Sequence, residues 1–495
     1  MILSELALPI AVALPYAGAV LALSVGLSVH RTGWPIAAVT LCSTLVVVAI
    51  IAAQVAVSGV VYWEYVYVPD VRTVPFQADG LSATLLLVST AMTAGALAYT
   101  RSAGPRGNRF YAGYLLLAGS VNGLAVTGNL FYLIVFLELT SLAIITMVAA
   151  SDKEGATFAA IKYLFLATTG GVVALMGVGV VYTRTGTLLL AELPDAIAAV
   201  GYTDPGFGIA FVLLVVGLSM KVGLFPLHGW LADAHAAAPD AVSALISGAV
   251  PALAVFTFVR IVVSAFTPAF LAVVPALGAV FLYGMVAIML VGNVLALYQR
   301  HVKLMLAYST IAQFGLVLVG VALANETATF GAIVLMAGHG FAKGGLFILA
   351  GMLYLRFGAR TIEEYAGLAE RAPILGATFV VLSITMIGLP PSAGFMGKWY
   401  IALGAIQEGT VFVALLVVVS TLLTLGYTVP FINALYFKPF EDGRSDRHDR
   451  PTVTRDRHDR PTVTRGMTAV VVLAAVVGIL LGVTSSWILE VMVVI

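Results

Sequence analysis

The sequence predicts an all-α polytopic membrane protein of about fourteen transmembrane helices, and three observations carry that reading. First, 61% of the 495 residues are hydrophobic and 10% are charged, where a soluble domain carries about 25% charged residues. Second, apolar runs of about 20 residues, enough for a helix to cross a bilayer, recur along the whole chain. Third, Lys and Arg fall in alternate gaps between those runs, as cytoplasmic loops require.

The spans lie near residues 5–28, 33–59, 80–100, 110–128, 130–150, 157–183, 206–229, 241–266, 270–298, 304–323, 328–355, 373–402, 410–437 and 467–493. The odd-numbered loops hold 18 of the 25 basic residues, from Arg31 through Arg101, Lys153, Lys303 and Arg360 to the Arg-rich stretch before Arg465. The even-numbered loops hold only Arg72 and Arg184. A miscounted helix would scramble that alternation. It places both termini on the non-cytoplasmic side, in a prokaryotic inner membrane. The first residues, Met1 to Ala7, lack a basic leader region and read as the start of a retained helix.

Composition also excludes classes. A net charge of +1 argues against nucleic acid as a partner. Cys42 is the single cysteine, so neither a disulfide framework nor iron–sulfur ligation is available within the chain. No cofactor or metal site is expected; His448 and His458 sit in a polar tandem duplication, 446–455 and 456–465, which reads as an expanded cytoplasmic loop. The 49 glycines suit close helix–helix approach in lipid.

Ionisable residues in the spans are costly, at about 2.5–3.5 kcal/mol each at mid-bilayer, so each asks for a partner or a hydrated cavity. Glu138 in span 5 and Lys221 in span 7 lie at similar depth and suggest an ion pair. A static pair that fixes packing is the competing reading. Span 7 is interrupted at Pro226 and Gly229, and span 12 at Pro390 and Pro391, with Lys398 just beyond. Proline removes a backbone donor, and broken helices at membrane depth are tolerated where they line a cavity. His339 and Lys343 in span 11 are four residues apart and share a helix face. Lys162 lies in span 6. His228, Asp233 and His235 read as loop residues after span 7, at a water entrance rather than at a zinc site.

The stretch Lys221-Val-Gly-Leu-Phe-Pro-Leu-His-Gly-Trp-Leu-Ala-Asp-Ala-His-Ala-Ala-Ala-Pro-Asp-Ala-Val-Ser-Ala244 resembles the signature of the antiporter-like subunits shared by complex I, Mrp-type Na+/H+ antiporters and membrane-bound hydrogenases. The Glu138 segment, residues 304–315, the His339/Lys343 segment and Gly394-Phe-Met-Gly-Lys398 match the same family. The resemblance implies two inverted five-helix repeats, at 110–268 and 269–437, preceded by three helices in 1–109. A polar loop, 438–466, and a last helix, 467–495, follow them. It implies that Glu138 and Lys221 form a coupling pair, that His339 and Lys343 belong to a central relay, and that Lys398 is the terminal carrier. Lysine at 398 looks more like the D-type subunit of Mrp antiporters. The partners implied are other membrane subunits and protons, with Na+ as a candidate second ion.

One departure stands out. The family's span 8 lysine falls at Ala252, so either water with His228 or the span 11 groups bridges the gap, or the channel is disabled. His301, where many relatives have Asp, is a smaller departure. The rival readings are a structural subunit, a proton-pumping subunit of a complex I-like quinone dehydrogenase or membrane hydrogenase, the membrane subunit of an inorganic-carbon uptake complex, and a redox enzyme in its own right. The last is weakened by the lack of cofactor ligands in the spans.

Overall fold

A computed structural model describes residues 6–63, 76–105, 107–440 and 463–486. Arg72, Arg106, the tandem duplication up to 462 with His448 and His458, and the end of span 14 lie outside the described residues.

Three N-terminal helices, α1 (Ala7–Gly26), α2 (Gly33–Ser58) and α3 (Gly80–Thr100), precede α4 (Asn108–Val126), α5 (Leu130–Ala149) and α6 (Ala156–Thr185). After a short α7 (Leu193–Val200), span 7 is split into α8 (Pro205–Lys221) and α9 (Gly229–Ala237). Span 8 is α10 (Asp240–Phe258), which ends in a π turn, Val259–Ala265. A short α11 (Thr267–Val273) leads to α12 (Pro275–Leu297), α13 (Val302–Ala322) and the long α14 (Glu326–Phe357). After α15 (Leu368–Arg371), span 12 is split into α16 (Pro373–Ile387) and α17 (Ala393–Gln407); α18 (Val411–Phe437) and α19 (Arg465–Val483) complete the bundle. Among the described residues, eleven spans are long and apolar enough to cross a membrane as unbroken helices. The other three expected spans are the two split ones and α4, which is buried over most of its length.

Polar residues start the helices. Asp79 caps α3 by accepting from the Ser82 amide, Asn129 caps α5, Asn325 caps α14, and Pro205 opens α8 behind Asp204. The loops sort to two ends. At one, Lys153 Nζ donates to Ala238 O at 2.6 Å, Val302 N to Arg360 O at 2.9 Å, and Gly367 N to Ala434 O at 3.1 Å, which gathers the basic loops. At the other, the hairpin β1–β2 (Val61–Trp63 with Phe76–Ala78) bridges to Thr127, and Asn129 pairs with Leu189. Loops 2, 4 and 6 thus meet at one end, as the charge alternation predicts.

Helix α14 is the axis. It runs 32 residues, about 48 Å at 1.5 Å per residue, and packs against α3, α10, α13, α16, α17 and α19. It is buried nearly throughout, and it carries His339 and Lys343. Large apolar side chains such as Phe165, Val280 and Phe412 point outward, as a surface facing lipid or apolar partners requires.

Candidate functional site

The first break is built so that its backbone is satisfied. Helix α8 stops at Lys221; Ser219 O then takes the Leu224 amide at 2.9 Å, and Met220 O takes the Trp230 indole at 3.2 Å. Pro226, in a cis peptide after Phe225, has no donor to lose. Lys221 is buried; its ammonium donates to Glu138 Oε2 and lies 3.4 Å from Ala167 O. Thr168 Oγ1 donates to the other carboxylate oxygen at 3.4 Å. Glycines make the room: a Cβ at Gly170 would come within 2.6 Å of Gly217 O, and one at Gly171 would strike the Glu138 carboxylate. Glu138 keeps 29% of its side chain exposed, so the pair sits at the edge of the chain.

The second break differs. Helix α16 ends at Ile387, Gly388 follows at φ 82°, and the Pro390–Pro391 peptide is cis before Ser392 caps α17. Lys398 reaches back across the break to donate to Ile387 O at 2.8 Å and to Thr421 Oγ1 at 3.2 Å. The partial negative charge of a helix C-terminus suits an ammonium there. Among the described residues no carboxylate pairs with Lys398.

Between the breaks runs a chain of polar groups. His235 is not a loop residue: it lies in α9, fully buried and stacked on Phe347, because the chain turns back into the bundle after Pro226. Its Nε2 contacts Ser247 Oγ at 3.1 Å, and Ser247 contacts Thr310 Oγ1 at 3.1 Å. Thr310 donates to Leu306 O at 2.9 Å, and that same carbonyl accepts from Lys343 Nζ at 2.8 Å. Lys343 also donates to Ser309. The Tyr427 hydroxyl faces Ser309 and donates to Asn293 Oδ1 at 3.3 Å; Thr424 donates to the same oxygen at 3.2 Å. Thr421, one turn before Thr424 on α18, is the residue that holds Lys398. The buried stacked pair Tyr163–Trp230 lies beside the stretch of chain from Lys221 to His235.

The remaining expected residues separate. Asp233 is likewise in α9 and not in a loop; it pairs with Lys162 at 2.6 Å, and both residues are half-buried. His228 stays at the break against Phe225 and Tyr308, with Nδ1 buried and unpartnered. His339 is buried one turn before Lys343, with Nε2 unpartnered. Ala252 lines a different space, a cavity of about 30 Å³ shared with Leu85, Val88, Val255 and Met336. That lining is almost wholly apolar, so water there lacks the polar partners it would need.

The match to known proteins follows this geometry. Residues 127–424, the segment that contains both breaks and the buried amines, match the model of the NADH:quinone oxidoreductase/Mrp antiporter transmembrane family. The chain belongs to that family. This antiporter-like subunit is 38% identical over 349 residues to NADH-quinone oxidoreductase subunit N of Desulforudis audaxviator, covering 70% of this chain and 69% of that one. It is 33% identical over 367 residues to the D-type subunit of a Na(+)/H(+) antiporter from Bacillus subtilis, covering 72% of each. In fold it resembles a chain of the Mrp complex from Dietzia sp., with a TM-score of 0.86, 24% identity and coverage of 100% and 97%. It also resembles one of respiratory complex I from Thermus thermophilus, with a TM-score of 0.81, 23% identity and coverage of 98% and 99%. The Mrp D-type likeness read at Lys398 is therefore not specifically favoured over subunit N. The antiporter-like subunit also owes its site to residues that sequence reasoning missed: Thr168, Gly170, Gly171, Ser247, Thr310, Ser309, Asn293, Thr421 and Tyr427. Only the two adjacent glycines, Gly170-Gly171, on the span neighbouring Glu138 left a readable trace.

Proposed function

We propose that this antiporter-like subunit conducts protons across the inner membrane of a prokaryote, within a complex of other membrane subunits. One observation carries the reading. Three amines, Lys221, Lys343 and Lys398, are 3%, 0% and 5% exposed within the spans, and each is held by a carboxylate, carbonyl or hydroxyl oxygen. Such groups are too costly to keep for packing alone.

In the proposed cycle Lys221 holds a proton while Glu138 faces it. A conformational change in a partner parts the pair. An uncompensated ammonium in the interior is costly, and giving up the proton relieves that cost. The proton then passes along hydrated groups, beside the His235–Ser247–Thr310 chain, to Lys343 with His339 next to it, and to Lys398 at the second break. His228, Lys162 and Asp233 support the cytoplasmic side, and the repeats 110–268 and 269–437 each supply one broken span. Moving one charge against 100 mV costs about 2.3 kcal/mol, so redox chemistry in partner subunits or a Na+ gradient must drive it. In this reading the chain supplies the proton path.

Two parents fit. Lysine at 398 supports an Mrp-type antiporter, and the likeness to subunit N supports a complex I-like quinone dehydrogenase. Subunits that co-purify with this chain separate them: redox-coloured partners mean the second, colourless ones the first. The proton reading itself is tested with the parent complex in vesicles. Lys221→Ala should abolish proton flux while the complex still assembles; full flux in that variant rejects the cycle.

A further inference from the structure

A cavity of about 170 Å³ lies between α3, α10, α14 and α19, and its lining shares no residue with the polar chain or the two breaks. Half of the lining residues are Gly or Ala, among them Gly95, Ala96, Gly344, Gly345 and Ala474. None of the lining side chains carries a nitrogen or an oxygen, so water inside would lack the polar partners that hold it. Close-packed interiors leave few voids larger than a water molecule. Met92 closes the space on its inner side: a Cβ at Gly248 or Gly344 would come within 3.0 Å of its terminal methyl. The outer side is open. Leu473 on α19 is 62% exposed, and Ala91 and Gly95 on α3 are half-buried, so the cavity is a groove reached from the lipid-facing surface.

Depth and width limit what fits. The lining runs from Phe341 to Ile348 along α14 and from Val470 to Val477 along α19, about 10 Å in each case. The hydrocarbon of one leaflet is about 15 Å deep. A volume of about 170 Å³ over the length of the lining leaves a section of about 17 Å². A helix has a diameter of about 10–12 Å. The groove therefore suits a single hydrocarbon chain and is far too narrow for a helix.

Two cations stand beyond one end of it. Arg465 opens α19 five residues before Val470, and Arg356 lies eight residues beyond Ile348 on α14. Both are exposed, at the end where the basic loops gather, and α14 packs on α19. At 1.5 Å per residue they sit about 8 and 12 Å beyond the cavity, the level of a head group whose chain enters it. Arg356 donates to Arg371 O at 3.1 Å, which steadies its guanidinium and leaves other N–H groups for a phosphate.

We infer that the groove is a binding site for one acyl chain of an anionic phospholipid, whose phosphate is held by Arg356 and Arg465. The surrounding lipid is as apolar as the groove, so affinity comes from van der Waals packing against its walls and from the phosphate contacts. The site goes beyond the proton-conducting reading, and either can fail without the other.

The test uses the parent complex in phosphatidylcholine vesicles that hold a minor fraction of phosphatidylglycerol with a diazirine on one acyl chain. Illumination fixes the chain where it lies, and mass spectrometry reads the labelled residues. A parallel sample carries the diazirine on phosphatidylcholine. Met92, Phe341 and Leu473 should be labelled, and more strongly by phosphatidylglycerol. Gly95→Leu fills the groove, and its Cβ meets only Val470 at 3.6 Å, an ordinary contact. It should remove most of the groove label and leave the label at the lipid-facing Phe165 unchanged. Ala91→Leu, one turn away on α3, should do the same. Arg356→Gln and Arg465→Gln should each lower the preference for phosphatidylglycerol about fivefold. Absence of label from the groove in the assembled complex overturns the site, since a partner subunit then covers it. Groove label that persists in Gly95→Leu and Ala91→Leu, or equal labelling by the two lipids in the unmodified chain, also overturns it.

Discussion

The two broken spans solve one problem with different chemistry. Each stops a helix at a proline-containing segment and places a buried lysine beside the break. Lys221 meets a carboxylate, held by Thr168 and framed by Gly170 and Gly171; Lys398 meets only the Ile387 carbonyl and the Thr421 hydroxyl. A charge pair is a switch, because separating it changes the electrostatic energy by several kcal/mol. A neutral cradle holds its lysine without a counter-charge, so no ion pair has to be parted there. The first break is therefore suited to respond to a partner, and the edge position of Glu138 gives a partner access to it. The second is suited to receive and release.

The largest expected effects test that contrast directly. Glu138→Gln leaves Lys221 buried without its counter-charge. It should cost about 3–5 kcal/mol of stability and nearly abolish proton flux, read as thermal unfolding of the purified complex and as uptake in vesicles. Thr421→Val removes one neutral acceptor from Lys398 and should cost about 1 kcal/mol, with flux reduced far less. If the two substitutions cost the same, the breaks do not differ in kind. Gly171→Ala comes next: its Cβ would collide with the Glu138 carboxylate, so flux should fall part of the way towards the Glu138→Gln level. An unchanged rate would mean that the carboxylate moves aside freely and that the glycine frame does not set its position. The Lys162–Asp233 pair is half-buried; such pairs contribute about 0–1 kcal/mol, so Asp233→Asn should cost under about 1 kcal/mol of stability and lower flux less than Gly171→Ala does, as a supporting group at the cytoplasmic side would.

The charged half of this site is legible in the sequence, and the neutral half is not. Glu138, Lys221, Lys343 and Lys398 stand out because an ionisable group in an apolar run is expensive, and Pro226, Pro390 and Pro391 because they lack a donor. The charge alternation that counts fourteen spans is equally local, and the clustering of the basic loops at one end agrees with it. Ser247, Thr310, Ser309 and Thr421 carry no such signal: a hydroxyl in a span usually bonds the carbonyl one turn back, as Thr310 does to Leu306, and reads as packing. Their role depends on neighbours 23 to 63 residues away, such as Lys398 for Thr421, Lys343 for Ser309 and Thr310 for Ser247. His235 reads as a loop residue because Pro226 and Gly229 mimic the end of a span, whereas the chain re-enters the bundle as α9 and buries the imidazole against Phe347.

Position 252 gives the smallest expected effect on flux and the sharpest test of which side of α10 carries protons. Alanine stands where the resemblance implies a lysine, and the space beside it is a cavity of about 30 Å³ lined by Leu81, Leu85, Val88, Phe256, Met336 and other mostly apolar groups. A lysine ammonium forced into it would find no carboxylate; Asp79, the carboxylate nearest that end of α3, is already paired with Arg260 at 2.6 Å. Ala252→Lys should therefore cost about 2.5–3.5 kcal/mol of stability, the penalty of a lone charge at membrane depth. Proton uptake per assembled complex should stay at the unmodified level, because the His235–Ser247–Thr310 chain lies on the other side of α10. A severalfold gain in uptake would instead mean that alanine at 252 interrupts a path through this cavity, and that the hydroxyl chain beside α13 fixes helix packing without moving protons.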